Sequence, residues 1–251
     1  LQRVFFSSNR ELKKEFIMTS PAVSKEQKKD KKFLLIVVAA SCLVAAMFGS
    51  RNSLSLTIEG INQSQTLNYL QISFAFALGQ LVVGAISPFA GMIADKYGSG
   101  KTLTVGILLG LLGIILIPYS TTAFTLSLSL GVISSIGLGV AGLPVVLASV
   151  NRLIPQNKVG MAFGLVNAGQ SLGQLILAPL AGFIIVNFGW ILCILFLCTV
   201  LLLVLPFSFT LRSRTDTKQP SGVQTKSLSE TLRIAFKTPS YNYLVLGFFV
   251  C

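Results

Sequence analysis

Polar side chains recur at helical spacing inside the first apolar stretch of the sequence. Arg51, Asn52, Ser55 and Glu59 fall within about 100° of one another on a helical wheel and so share one face. An arginine at the centre of a membrane helix costs about 2.5–3.5 kcal/mol on insertion scales, and it ordinarily faces a cavity. We therefore predict a water-lined face around Arg51. The alternative places Arg51 at the outer membrane interface, because residues 33–50 are already about long enough to span a bilayer.

A later apolar stretch carries a second polar face. Its members are spaced at i, i+3, i+4 and i+7 and so lie on one side of a helix: Asn167, Gln170, Ser171 and Gln174. Lipid offers these side chains no hydrogen-bond partners. They either line a polar path through the membrane or bond to neighbouring helices, and we predict that they line the path.

A third polar set is weaker. Ser73, Gln80 and Ser87 are separated by seven residues each and so recur on one helix face. Serine and glutamine also occur where membrane helices pack against each other. For these three residues we predict a packing role.

The residue types exclude most enzyme chemistry. The sequence contains no histidine, which removes the usual general base, the commonest zinc ligand and every Ser-His or Cys-His pair. Cys42, Cys193, Cys198 and Cys251 lie in apolar stretches without metal-ligand spacing, and we expect small buried hydrophobic side chains. We predict no catalytic residue, no metal site, no cofactor and no enzyme activity.

Two glycine-rich segments superficially match nucleotide-binding loops. Residues 98–102 (GSGKT) lack the required glycine five positions before Gly100, where Asp95 stands. Residues 137–142 match G-x-G-x-x-G but lie in a long apolar run without the strand of a dinucleotide fold. Close packing of membrane helices explains such glycines better. The same role is predicted for three further pairs: Gly106/Gly110, Gly160/Gly164 and Gly169/Gly173.

Composition and hydropathy indicate a polytopic all-α membrane protein. The chain is 53% apolar and 11% charged, with a mean hydropathy of +0.77. The six apolar segments that can each span a bilayer are 33–58, 68–90, 102–118, 124–150, 159–186 and 190–209. Around this bundle, at 33–209, we predict a basic cytosolic tail at 1–32, a cytosolic loop at 210–239 and the start of a seventh helix at 240–251.

The basic residues predict the orientation of the segments. All but one of the 20 lysines and arginines lie in the tail or in every second connection, and the exception is Arg51. Cytoplasmic loops retain such residues, so the N-terminus is predicted to be cytoplasmic in a multi-pass protein of the cell membrane. The net charge of +12 therefore indicates membrane topology, and no nucleic-acid partner is predicted.

The connection after the second segment carries the most specific motif. Residues 91–101 read GMIADKYGSGK, in which Gly91, Asp95, Lys96, Gly98 and Lys101 match G-x-x-x-D-R/K-x-G-x-R-K. This pattern and its location resemble the signature loop of the major facilitator superfamily, although glycine replaces the usual arginine at position 100. The resemblance implies a gating loop. Gly91 would permit close helix contact, and Asp95 would offer a charge partner to a basic residue or a helix terminus.

Further residues resemble the bacterial oxalate/formate and monocarboxylate branch of that family. They cover roughly 33–209 and include Arg51 to Ser53, Gly137 to Pro144, Ile154 to Gly164, Gly173-Gln174, Pro179 and Gly189-Trp190. Ile191 departs from the branch, which often has arginine there, and Ile133 departs from proton-coupled drug exporters. The resemblance implies the N-terminal six-helix bundle of a twelve-helix transporter, with its C-terminal half beyond Cys251.

The resemblance also implies an activity. We expect secondary active transport of a small organic anion, a mono- or dicarboxylate, by alternating access within the lipid bilayer. Arg51 would attract the carboxylate, and the amides at 167–174 would orient it. A proton or an exchanged anion is the expected coupling partner. Carriage of a drug or a sugar, or a transporter-like sensor, are the alternatives that the residues leave open.

Overall fold

Six long helices form the part of the chain that the structure, a computed structural model, describes, namely residues 31–64 and 67–211. The helices are α1 Lys31–Ser64, α2 Tyr69–Tyr97, α3 Ser99–Tyr119, α4 Ala123–Leu153, α5 Gln156–Phe188 and α6 Trp190–Thr210. Each is long and apolar enough to cross a bilayer, and these residues contain no strand. The predicted all-α fold with six helices is therefore confirmed.

Most of the predicted flanking regions lie outside the described residues. This holds for the tail at 1–32 apart from Lys31 and Lys32, which already belong to α1. It holds for the loop at 210–239 apart from its first two residues, and for the start of a seventh helix at 240–251. These three regions remain predictions.

Two glycines set the sharp connections between consecutive helices. The motif residues 91–97 continue α2 as helix instead of forming a loop, so Gly98 alone separates α2 from α3. Gly189 alone separates α5 from α6 in the same way. Their φ angles are 91° and 88°, a region that residues with a Cβ atom rarely adopt. Helices joined in this manner must turn back on each other at once.

Helices α3 and α4 approach each other backbone to backbone. A Cβ atom on Gly137 would lie 2.2 Å from the amide nitrogen of Gly110, and one on Gly106 would lie 2.7 Å from the Cβ atom of Ala141. Lipid supplies no hydrophobic force between helices, so this contact stabilises the pair through van der Waals packing. The predicted packing role of these glycines is confirmed.

Helices α1 and α5 pack side by side in the same direction. A Cβ atom on Gly169 would lie 2.6 Å from Cβ of Ser41, and one on Gly173 would lie 2.3 Å from the carbonyl oxygen of Ala45. The prediction for this pair is confirmed. No contact of this kind is seen at Gly160 and Gly164, where a Cβ atom would meet nothing within 4 Å among the described residues, so the packing role of that pair stays a prediction. The G-x-x-x-G spacing identifies a smooth helix face without showing that a neighbour covers it.

Helix α4 is irregular at two places. Residues Ser127–Ser134 are π-helical, and the helix breaks after Val140 before it resumes at Leu143. Pro144 follows the break at once, and its missing N–H deprives the carbonyl group of Val140 of a helical partner. Residues at the break, Gly142, Leu143 and Pro144, line the cavity described below.

Substitutions on α5 distinguish a packed glycine from an open one. We expect Gly173→Leu in the full-length protein to lower its stability by about 1–3 kcal/mol, because the side chain would have to displace the α1 backbone. Gly164→Leu is the matched control on the same helix, since a Cβ atom there would meet nothing within 4 Å among the described residues. Thermal unfolding of both purified variants in detergent measures the difference, and equal midpoints would contradict the described α1–α5 contact.

Candidate functional site

Arg51 contacts a glutamine of the neighbouring helix α2. Its Nη2 donates a hydrogen bond of 2.7 Å to Oε1 of Gln80. The guanidinium group is half-buried, and a membrane arginine needs such a polar partner. The pair thus connects α1 and α2 by a charge-assisted hydrogen bond, the stronger class of hydrogen bond in proteins.

Arg51 and Gln80 line one wall of a cavity of about 120 Å³. The cavity also contacts Val83, which is the middle residue of the 29 in α2, and Leu138, which is the middle residue of the 31 in α4. A helix centred in a bilayer has its middle residue near the midplane. The position of Arg51 therefore favours a cavity deep between the helices over the outer-interface alternative.

The cavity is mainly apolar, with its polar groups on the α1 and α2 side. Ser87 is the remaining polar residue in its lining, and its hydroxyl donates to the carbonyl group of Val83 at 2.7 Å. The apolar lining residues are Met47, Phe48, Val83, Leu138, Leu143 and Pro144. Gly142, which lies in the break of α4, also lines the cavity. An apolar wall lowers the local dielectric and strengthens the attraction between Arg51 and an anion.

The other predicted residues of the α1 face lie away from this cavity. Asn52 and Ser55 are exposed, and the Ser55 hydroxyl donates to the backbone carbonyl of Asn52 at 2.6 Å. Glu59 accepts hydrogen bonds from Gln63 and Tyr69, where α1 ends and α2 begins. The four polar residues that share one face of the helical wheel are therefore spread along α1, and of these Arg51 lines the cavity.

The four residues of the predicted α5 face are not among those that line the cavity at Arg51. The contact of Gly173 with Ala45 places Gln174 roughly 7 Å along the bundle from Arg51, at 1.5 Å per residue. Asn167 donates to the carbonyl group of Phe163 at 2.9 Å, and Ser171 donates to that of Asn167 at 3.5 Å. Gln170 and Gln174 are half-buried. The four side chains share a face of α5 whose role in binding stays a prediction.

Asp95 forms an ion pair with Arg152 across two helices. Asp95 lies in the last turns of α2, and Arg152 lies in the last turn of α4, with its Nη2 on Oδ1 of Asp95. Both side chains remain partly exposed. The sequence predicted a charge partner for Asp95, and the structure shows which residue fills that position.

The other residues of the motif have separate positions. Gly98 supplies the positive φ between α2 and α3, while Lys96 stacks on the ring of Tyr97 at 5.4 Å and Lys101 is exposed. Among the described residues, a Cβ atom on Gly91 would meet nothing within 4 Å, so the close helix contact expected at Gly91 stays a prediction. Gly91 lies on a face of α2 that the described helices leave uncovered.

The sequence did not lead us to the partners of Arg51 and Asp95. Gln80 was assigned to packing, and Arg152 was counted as an ordinary basic residue of a connection. Gln80 could have been identified as a polar residue near the middle of an apolar segment. Its seven-residue spacing from two serines led instead to a predicted packing role. Among residues 31–64 and 67–211, no cluster of His, Cys, Asp or Glu could hold a metal ion.

Six apolar helices, with a cavity between them that Arg51 lines, define a polytopic membrane protein. The chain belongs to the major facilitator superfamily, whose family model, described as Major Facilitator Superfamily, matches residues 37–251.

Curated relatives are transporters that are 25–29% identical to the chain over the aligned residues. Monocarboxylate transporter 11 of Mus musculus is 25% identical over 209 residues, 83% of this chain and 46% of the relative. MFS transporter asaE of Aspergillus flavus is 29% identical over 217 residues, 83% of this chain and 47% of the relative. Riboflavin transporter RibZ of Clostridioides difficile is 29% identical over 124 residues, 49% of this chain and 27% of the relative. The chain spans about half the length of the first two relatives.

Solved structures confirm the fold. The inward-open xylose transporter XylE from E. coli superposes with a TM-score of 0.61 at 14% identity, covering 86% of this chain and 55% of XylE. The POT family transporter PepTSo superposes with a TM-score of 0.59 at 16% identity, covering 84% and 47%. At these identities the likeness concerns the helical arrangement, which is that of the N-terminal half of the superfamily fold.

A double-mutant cycle tests the Asp95–Arg152 pair. Both side chains are partly exposed, so we expect a coupling of about 0.2–1 kcal/mol between Asp95→Asn and Arg152→Gln. Thermal unfolding of the full-length protein and its single and double variants measures this coupling. The same cycle between Asp95→Asn and Lys101→Gln is the control and should show none. Fully additive effects at Asp95 and Arg152 would contradict the ion pair.

Proposed function

We propose that this chain is the N-terminal half of a secondary transporter that carries a small organic anion, a mono- or dicarboxylate, by alternating access. The observation that carries the proposal is the guanidinium group of Arg51 in a cavity level with the middles of α2 and α4. Substrate sites of transporters lie near the bilayer midplane between structural repeats. A positive charge at that depth favours an anionic ligand over a neutral or cationic one.

The hydrogen-bonding capacity of Arg51 supports a carboxylate in particular. A guanidinium group has five N–H donors in a planar fork, and Gln80 occupies a donor on Nη2. The remaining donors match the two oxygens of a carboxylate in geometry and charge. A sugar would instead need several polar groups distributed around the cavity, whose other walls are apolar.

Two further groups of residues have proposed roles in the cycle. The α5 face at Asn167, Gln170, Ser171 and Gln174 would orient the substrate as it moves along the bundle away from Arg51. The ion pair of Asp95 and Arg152 would hold α2 against α4 in one state and release it in the other, as part of a gate. The contact of Gly173 with Ala45 and the place of Asp95 and Arg152 at the ends of α2 and α4 support these roles, because both groups lie between Arg51 and the same end of the bundle.

The partner that completes the site would be a second six-helix bundle of the same protein. Helices α2 and α5 are the least covered of the six, and large apolar side chains remain exposed on both: Leu70, Phe74, Leu81, Met161, Leu175 and Phe183. Lipid and a second bundle would share these surfaces. The relatives, of which the chain spans about half, agree with such an arrangement.

Orientation and coupling form the last part of the proposal. The end of the bundle with Asp95, Lys101, Arg152 and Lys158 would face the cytoplasm of a cell whose plasma membrane holds the protein. The coupling partner would be a proton or an exchanged anion. The similarity to monocarboxylate transporters supports the anionic substrate, whereas the relative that transports riboflavin makes other substrates a necessary comparison.

Counterflow uptake into proteoliposomes tests the proposed substrate and the role of Arg51. We expect the full-length protein to take up labelled mono- or dicarboxylates saturably, and Arg51→Gln to lower uptake about tenfold or more, because it removes a charge-assisted contact worth roughly 1.5–3 kcal/mol. Arg51→Lys keeps the charge and should retain part of the activity.

The same panel includes a sugar, riboflavin and a lipophilic cation. Uptake of one of these in the absence of carboxylate uptake would overturn the substrate assignment and leave the fold unaffected. Carboxylate uptake that is equal in the wild-type protein and in Arg51→Gln would overturn the role of Arg51 alone.

A further inference from the structure

We propose that Gln80 is the positioning residue of the anion site, and that its neutral amide holds the Arg51 guanidinium at the cavity without cancelling the positive charge. This inference rests on the proposed function, because it concerns how the anion meets Arg51. It assigns to Gln80 a part in substrate binding, in addition to its contact between α1 and α2.

The geometry of the pair supports positioning. The hydrogen bond of 2.7 Å joins Nη2 of Arg51 to Oε1 of Gln80, and both side chains line the same cavity. An arginine side chain has many rotamers, and it must be ordered before a ligand can be bound in a defined geometry. Gln80, on a different helix, restricts the guanidinium group before the anion arrives.

The charge of the partner is the second part of the argument. A carboxylate at position 80 would form an ion pair with Arg51 and compete with the substrate for the same donors. The carboxylates among the described residues are Glu59 and Asp95. Glu59 is bound by Gln63 and Tyr69, and Asp95 is paired with Arg152. Within residues 31–64 and 67–211, the acids are therefore committed elsewhere, and Arg51 keeps its charge for a ligand.

The amide also has donors to contribute. Its Oε1 faces Arg51, and the NH₂ group of a glutamine carries two N–H donors that an anion can use. Gln80 lines the cavity and is exposed in the described bundle, which leaves its amide accessible to a substrate. An arginine and an amide that share one hydrogen bond thus present donors to the same small volume.

The test compares two substitutions of Gln80 that separate charge from hydrogen bonding. Gln80→Glu has nearly the same shape and keeps an oxygen for Arg51, but it adds a negative charge. Gln80→Met removes the acceptor and leaves the charge of Arg51 intact. If Gln80 preserves the charge for the substrate, the KM for a labelled monocarboxylate should rise at least about tenfold in Gln80→Glu, because a charge-assisted contact is lost. The KM should rise less in Gln80→Met.

The matched control is Gln71→Glu, the same chemical change on the same helix. Oε1 of Gln71 accepts from the backbone nitrogen of Asn68 at 3.1 Å in a capping box, where glutamate serves equally well. Its KM should equal that of the wild-type protein. All variants are reconstituted as the full-length protein, and thermal unfolding in detergent checks that each is folded.

The outcomes separate this proposal from a structural role and from the proposed function. A structural hydrogen bond predicts the reverse order, with Gln80→Met more damaging than Gln80→Glu, and that order would overturn the proposal. An unchanged KM in Gln80→Glu, beside normal carboxylate uptake by the wild-type protein, would overturn the role of Gln80 alone. Absence of carboxylate uptake by the wild-type protein would overturn the proposed function, and this inference with it.

Discussion

The hydrocarbon core of a bilayer offers neither hydrogen-bond partners nor a hydrophobic force between helices, and the described structure follows from that constraint. Helices must associate through close packing, which glycines at the α3–α4 and α1–α5 contacts allow. A polar side chain within a span must find a partner inside the protein or face water. Arg51 meets this requirement through Gln80 and the cavity. Close packing and the need of polar side chains for hydrogen-bond partners thus determine which helices meet and where a cavity remains between them.

The number, order and approximate limits of the helices could be predicted from the sequence, because the length of an apolar run is a local property. The predicted limits of the helices were least accurate where polar residues continue a helix beyond the apolar run, as residues 91–97 do in α2. Glycine patterns were a partial guide. Those at 106, 110 and 137 mark a real contact, whereas those at 160 and 164 meet no neighbour among the described residues, because a pattern on one helix does not show where its neighbours lie.

The site was predicted less completely, for a related physical reason. Arg51 was identifiable because a charge in an apolar segment is costly wherever its neighbours lie. Its partner Gln80 and the partner of Asp95, Arg152, depend on how α1, α2 and α4 cross one another, and that arrangement is a tertiary property. Of the helical-wheel stripe from Arg51 to Glu59, Arg51 lines the described cavity, while Asn52 and Ser55 are exposed and their role in binding stays a prediction.

The π-helical segment Ser127–Ser134 has a consequence for how this chain aligns with its relatives. In such a segment the backbone closes i→i+5 hydrogen bonds, so it accommodates an additional residue within an otherwise α-helical span. Deleting one residue there would restore α-helical bonding, and the first turn, Ala123–Leu126, would keep nearly the same phase against the rest of α4, because the wider turns had absorbed the additional residue. A relative whose fourth helix is α-helical throughout would therefore show a single-residue gap in this segment. Side chains on either side of that gap would correspond between the two proteins only if the gap is placed within the segment.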